Sequence, residues 1–309
     1  MVVKKRENQL LFRYFEDWIE LYKVGAVRDV TLNKYYMTLQ KLELLAPNLR
    51  MYDLDRQSYQ QILNDYAFTH EKQTTMDFHH QLKGAILDAV DEGIIDKNPT
   101  RKVIIKGRKP RPKKIKFLNQ FELQALLKHL DLNEGINWDW FILLISKTGL
   151  RFSEALALTP NDFDISKQSI SIDKTWDYKS SKGGMQETKN KSSNRKVIMD
   201  WQVAMQFSQL IRELDPEKPI FVKGRIYNSM VNNRLRALCI KADIPIISVH
   251  GLRHTHASLL LFSGVSIASV ARRLGHSSMI TTQETYLHII KELDNQDNDK
   301  IIRHLSTLS

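Results

Sequence analysis

Between residues 101 and 116 the chain carries nine basic side chains and no acidic one, and Pro110 and Pro112 sit among them. The basic residues are Arg101, Lys102, Lys106, Arg108, Lys109, Arg111, Lys113, Lys114 and Lys116. Proline fixes its own φ and pushes the preceding residue out of the helical region, so this stretch is not a regular helix. Its like charges also resist burial in a core. A chain broken this way is expected to fold as two bodies, 1–100 and 118–309, joined by a basic strap over 101–117. Each body is long enough to bury a core of its own. Residues 1–100 hold 13 Lys and Arg against 15 Asp and Glu, whereas the whole chain has a net charge of +11. The excess therefore lies in the strap and beyond it, which favours a polyanionic partner.

Hydrophobic periodicity makes the first body a helical bundle. Leu10, Leu11, Tyr14, Phe15, Trp18 and Ile19 recur at helical spacing. Thr31 is the expected cap of a second helix carrying Tyr35, Tyr36, Leu39 and Leu42, and Asp55 of a third with Tyr59, Ile62 and Leu63. Thr74 is the expected start of a fourth, through Phe78, Leu82 and Ile86, closing at Gly93. In the second body Asn119 caps a helix and another runs from Trp138 to Thr148. Ser169–Trp176 and Arg195–Met199 alternate like strands, with a polar, glycine-containing stretch between them. Helices are then expected at Gln202–Leu214, Ser229–Ala242, Val249–Phe262, Ser266–Leu274 and Thr281–Leu293. The fold class is mainly α with a small antiparallel sheet (α+β). The lone Cys239 suits a reducing cytoplasm and reads as apolar filler on a helix. Its apolar runs are too short to span a membrane, and Met1–Arg6 is followed by polar residues rather than a signal-type core.

Three segments carry chemistry. In Thr148-Gly149-Leu150-Arg151 a glycine ends one helix and an arginine begins the next, adding guanidinium donors to free backbone N–H groups. In His250-Gly251-Leu252-Arg253-His254 the imidazole of His250 and the guanidinium of Arg253 are three residues apart and share a helix face. A fork of N–H donors matches two phosphate oxygens, and an imidazole moves protons near neutral pH. The spacing of His250, His254 and His256 does not converge three ligands on one face, so no metal is expected. In Leu274-Gly275-His276 a C-cap glycine leaves His276 on a turn, ten residues before Tyr286.

Together these segments resemble the catalytic domain of the phage integrase family of tyrosine recombinases, and residues 8–100 look like that family's helical core-binding domain. The resemblance implies a nucleophile at Tyr286, phosphate-gripping Arg151 and Arg253, and His250 and His276 around the phosphate, with His250 assisting the phenol's proton transfer. It also implies a lysine on a hairpin. Lys189, in Thr188-Lys189 ahead of Ser193-Asn194-Arg195, fits best, with Lys191 and Lys182 as rivals. The gap from His276 to Tyr286 is one residue longer than the family's commonest spacing. The implied reaction needs neither cofactor nor ATP. A phenol with a pKa near 10 needs a base or a cationic field to attack. Charge on the phosphoryl oxygens is stabilised by the arginines.

The implied partners are double-stranded DNA attachment sites and a homotetramer on DNA, held through exchange of the C-terminal tail (Ile301, Ile302, Leu305 and Leu308 on one face). Accessory DNA-bending or excision factors are further expected partners. The implied setting is a bacterial cytoplasm, at the nucleoid. The Thr282–His288 stretch resembles integrases of mobile elements of Gram-positive bacteria. Two other functions fit the same residues: a type IB topoisomerase, which relaxes supercoils without exchanging partners, and a DNA-binding regulator on an inactive recombinase fold.

Overall fold

The computed structural model describes residues 7–110, 117–133, 135–180, 182–188, 190–286 and Ser306. It divides into two compact units, Met1–Lys113 and Lys114–Ser309.

The N-terminal unit is built from α1 (Leu11–Tyr22), α2 (Asp29–Leu45), α3 (Arg56–Ala67) and α4 (Lys72–Asp91). The apolar stripe of α1 is buried from Leu11 to Ile19 against Leu42, Tyr59, Leu82 and Ile86. Polar tips at the edge of this core are paired: Trp18 Nε1 donates to Asp88 at 2.6 Å and Thr38 Oγ1 to Gln81 at 2.6 Å. Asp55 caps α3 by accepting from the Ser58 N–H, and the Ser58 hydroxyl accepts from the Asp55 N–H. Such a cap is worth about 1 kcal/mol. Thr31 and Thr74 do not cap: α2 and α4 start earlier, after Arg28 and Glu71, neither of which makes a side-chain cap. The added first turns, residues 29–31 and 72–74, are exposed, so both helices begin ahead of the expected residue without a side-chain cap and without burial there.

Residues 102–108 are docked on this unit. Val103 and Ile105 pack against its core. The Ile104 N–H donates to Gln60 at 2.8 Å, and Gln60 Nε2 returns a bond to the Ile104 carbonyl at 2.9 Å. Arg108 donates its N–H to His70 O and its Nε to Phe68 O. Gly107 is needed here, because a Cβ would lie 2.1 Å from the Lys72 backbone nitrogen. The first half of the expected strap is therefore an edge of the N-terminal unit. Arg101, Lys102, Lys106, Arg108 and Lys109 remain exposed on it, and Arg111, Lys113, Lys114 and Lys116 lie outside the described residues.

In the C-terminal unit α5 (Gln120–Lys128) is capped by Asn119, and α6 (Trp138–Thr148) by Asn137. Helix α6 is apolar nearly all round and runs through the core. Its one buried carboxylate, Asp139, takes a two-pronged bond from Arg234 at 2.7 and 2.6 Å. After the short α7 (Phe152–Ala157) come β1 (Phe163–Asp164), β2 (Ser169–Ile172), β3 (Lys174–Trp176), β4 (Met185–Glu187) and β5 (Arg195–Ile198). They form two antiparallel sheets rather than one: β1-β2-β5, with Ile172 opposite Arg195, and the hairpin β3-β4, with Trp176 opposite Met185. Helices α8 (Trp201–Ile211), α9 (Asn228–Lys241), α10 (Val249–Phe262), α11 (Ile267–Leu274) and α12 (Met279–Thr285) follow, and the part of the expected helix Thr281–Leu293 beyond Tyr286 lies outside the described residues. Cys239 is buried on α9. The tail expected to dock on a neighbour lies outside the described residues. Among the described residues no helix is long and apolar enough to cross a membrane.

Candidate active site

Two helix ends make the framework. Helix α6 stops at Gly149 (φ +70) and α11 at Gly275 (φ +67), both left-handed C-caps that favour glycine. Space requires glycine as well. A Cβ on Gly149 would lie 2.6 Å from the His256 ring, and one on Gly275 would lie 2.8 Å from Arg195. The chain therefore turns tightly against α10 and β5, and the last carbonyls of α11 point at cations.

Three guanidiniums converge on those carbonyls. Arg253, on α10, donates to Gly149 O and Leu274 O, each at 2.7 Å. Arg151, the N-cap of α7, donates to Gly275 O at 2.6 Å. Arg195, first residue of β5, donates its Nε to Arg273 O at 2.6 Å. Carbonyls at a helix C-terminus carry partial negative charge and suit such donors. One buried carboxylate sits among them. Glu154, 1% exposed, accepts from Arg151 at 2.7 Å and from Arg195 at 3.1 and 2.9 Å. Burial alone would raise its pKa. The bonds and charge of Arg195, then of Arg151, overcome this and hold the carboxyl down at about 2. Three cations against one anion leave the cluster positive. Burial, then the charge of Arg151, brings Arg253 down to about 9, still protonated at neutral pH.

The nucleophile candidate lies beside this cluster. Tyr286 caps the end of α12 and is 2% exposed, packed with Ala257, Leu261, Val270 and Leu274. Burial pushes its phenol up to about 12, opposed by the charge of Arg253. Its Oη is 2.9 Å from Nδ1 of His254, one turn along α10 from His250. The His250 and His254 rings meet edge to face at 4.6 Å, with His250 on the exposed side. His276 follows the Gly275 turn and shares a hydrogen bond with Thr282 Oγ1 at 2.7 Å. Burial, then Arg253, Arg151 and Arg195, lowers its pKa to about 4, so the ring is neutral at pH 7.

Of the residues singled out from sequence, Arg151, Arg253, His276 and Tyr286 are thus brought together, with His250 at the rim. Lys189 lies outside the described residues, and Lys182 is exposed. Sequence reasoning missed Glu154, Arg195 and His254 as members of this cluster. Glu154 stands three residues after Arg151, the spacing of a capping box, and that was the available signal. His254 stands four after His250 on the same face. His256 is a packing residue: its Nδ1 bonds Ser146 O at 3.0 Å and its Nε2 accepts from Arg273 at 2.8 Å, and burial holds it at about 3.

Residues 116–292 match the phage integrase family. The chain is 23% identical to the integrase of Staphylococcus phage L54a, over 93% of this chain and 90% of that protein. It is 29% identical to the tyrosine recombinase XerC of Bacillus subtilis, over 65% of this chain and 66% of that protein. The fold matches the integrase of transposon Tn1549 in complex with a circular intermediate DNA, with a TM-score of 0.73 and 18% identity over 89% of this chain and 94% of that one. This chain belongs to the phage integrase family: it is a tyrosine recombinase, an enzyme that cuts DNA at specific sites and rejoins it without ATP.

Proposed function

We propose that this recombinase integrates and excises a mobile DNA element, with Tyr286 as the nucleophile that becomes joined to a 3′-phosphate. The observation that carries the reading is the placement of the Tyr286 phenol beside a net-positive cluster anchored on the ends of α6 and α11. Likeness to a phage integrase over nearly the full length of both chains supports the mobile-element role.

In this reading Arg151 and Arg253 hold the non-bridging oxygens. A guanidinium has five N–H donors, so each has donors beyond those given to the helix carbonyls. The carbonyls and Glu154 fix the forks in place before DNA arrives, which is where electrostatic catalysis gains its advantage. Neutral His276, with Nδ1 accepting from Thr282, donates its other ring N–H to the phosphate. His250 flanks the same phosphate from the rim, and Lys189 protonates the departing 5′-oxygen. The phosphotyrosyl ester conserves the energy of the broken bond, and a 5′-hydroxyl of another strand releases it. Exchange between two duplexes calls for four protomers, with the tail as the link between them. Strap residues Arg101 to Lys116 run along phosphates.

The test is covalent trapping on a nicked duplex carrying the element's end junction, in EDTA. A protein–DNA adduct is expected from the wild type and none from Tyr286→Phe. Tight binding with no wild-type adduct would leave a DNA-binding regulator. On a supercoiled plasmid carrying the same junction, relaxation without joining of two sites would leave a topoisomerase.

A further inference from the structure

We propose that His254, a residue outside the site inferred from sequence, is the catalytic base that takes the phenol proton of Tyr286. The inference rests on the tyrosine chemistry described above and moves to His254 the proton-accepting role that the resemblance gave to His250.

Geometry comes first. The His254 Nδ1 lies 2.9 Å from Oη, the atom that attacks phosphorus, within the reach a general base requires. The ring belongs to α10, directly after Arg253, whose guanidinium is pinned to two carbonyls. Acceptor and phosphate-holding cation therefore ride on one rigid helix and keep a fixed spacing. The need is also plain. Burial leaves the phenol protonated far above neutral pH, so attack requires a partner that removes the proton. His276 is poorly suited, since its Nδ1 is engaged with Thr282 and three guanidiniums disfavour its protonation. His250 packs edge to face with His254 at 4.6 Å and is exposed, so the two rings sit side by side with His254 on the Tyr286 side.

The step balances. His254 starts neutral, with its proton on Nε2 and Nδ1 accepting from Oη–H. As Oη bonds to phosphorus, its proton moves to Nδ1 and the ring becomes imidazolium. The P–O5′ bond breaks, its electron pair stays on the 5′-oxygen, and that oxygen takes a proton from the general acid, the role given to Lys189. In rejoining, the imidazolium returns its proton to the departing phenolate. Among the described residues, the charged or titratable groups around His254 include His250 and Arg253 on its own helix, Tyr286 at the end of α12 and His276 after α11.

The discriminating variant is His254→Asn, whose short amide keeps a hydrogen-bonding atom near the Nδ1 position yet accepts no proton. Single-turnover cleavage is measured from pH 5 to pH 9 on the nicked duplex and on a version with a 5′-bridging sulfur, which leaves without protonation. Wild-type cleavage should fall on the acid side as His254 is protonated. His254→Asn should be slower by about 10²–10⁴-fold, on both substrates. Its rate should climb steadily with pH as the phenol ionises unaided. Lys189→Ala should be rescued by the sulfur substrate and His254→Asn should not. DNA affinity by gel shift and the melting temperature should match the wild type. The wild-type adduct reports on the recombinase reading, and the variant's profile reports on the base. A His254→Asn rate within twofold of wild type overturns the proposal. So does faster cleavage, which would make the bond a restraint on Tyr286, or rescue by sulfur, which would place His254 at the leaving group.

Discussion

Glu154 holds the arginine cluster together by being charged where charge is costly. A carboxylate at 1% exposure survives because Arg151 and Arg195 both bond it, and removing one member of such a group typically costs about 3–5 kcal/mol. Glu154→Gln is expected to lower the melting temperature and to slow cleavage through loss of Arg151 orientation. It should also change the acid profile. The folded carboxyl titrates at about 2 against an ordinary 4.5. Its contribution is therefore complete above about 4.5 and is lost as pH falls from there through about 2. Melts between pH 6 and pH 2 should show Glu154→Gln losing less stability across that window than the wild type; parallel curves would mean the carboxyl is not ionised in the fold. Arg151, Arg253, His276 and Tyr286 were legible in the sequence because ordered motifs announce them. Glu154, Arg195 and His254 were not, because each acquires its meaning from a partner on another element: Arg195 from residues 41 and 78 positions away, and His254 from one 32 away.

Among the elements, the two glycine-ended helices set the site's dimensions. Gly149 and Gly93 have nearly the same backbone, φ +70 and +71, but a Cβ on Gly93 meets nothing within 4 Å, whereas one on Gly149 strikes the buried His256 ring. Gly93→Ala should cost about 1–2 kcal/mol, the left-handed conformation alone. Gly149→Ala should cost about 2–4 kcal/mol because overpacking is added, and it should also disturb the carbonyl that holds Arg253. Urea denaturation of the two variants separates the terms, and equal losses would show that His256 yields freely. Helix α10 was read from sequence with its observed bounds, since Ser248 caps it and its apolar face repeats regularly. The starts of α2 and α4 were not, because no side chain caps them and their first turns are exposed, leaving neither a cap nor an apolar pattern to mark them. Strands β2 and β3 were read as one run, Ser169–Trp176, and β4 was left in the polar stretch after it, since all three of its residues are exposed.

For the molecule as a whole, the net charge of +11 is unevenly placed, and its concentration in the strap predicts a steep salt dependence of DNA binding. Each phosphate contact adds about 0.9 to the slope of log affinity against log salt on a duplex. The pair Lys106→Ala and Lys109→Ala should lower that slope by roughly 2 while leaving the preference for the cognate junction intact. An unchanged slope would place those lysines off the phosphates. The break in composition was visible at once in the sequence, but its physical edge was not: Val103, Ile105 and Gly107 look like linker residues until Gln60, His70 and Lys72 are seen beneath them. That edge governs how such enzymes can be recombined with one another. A chimera spliced at residue 100 would strip an apolar seam from the donor's helical bundle and graft it, unsupported, onto a foreign one. Splicing after Pro110 transfers the bundle with its border intact, so exchange of N-terminal units between relatives should succeed at the later junction and fail at the earlier.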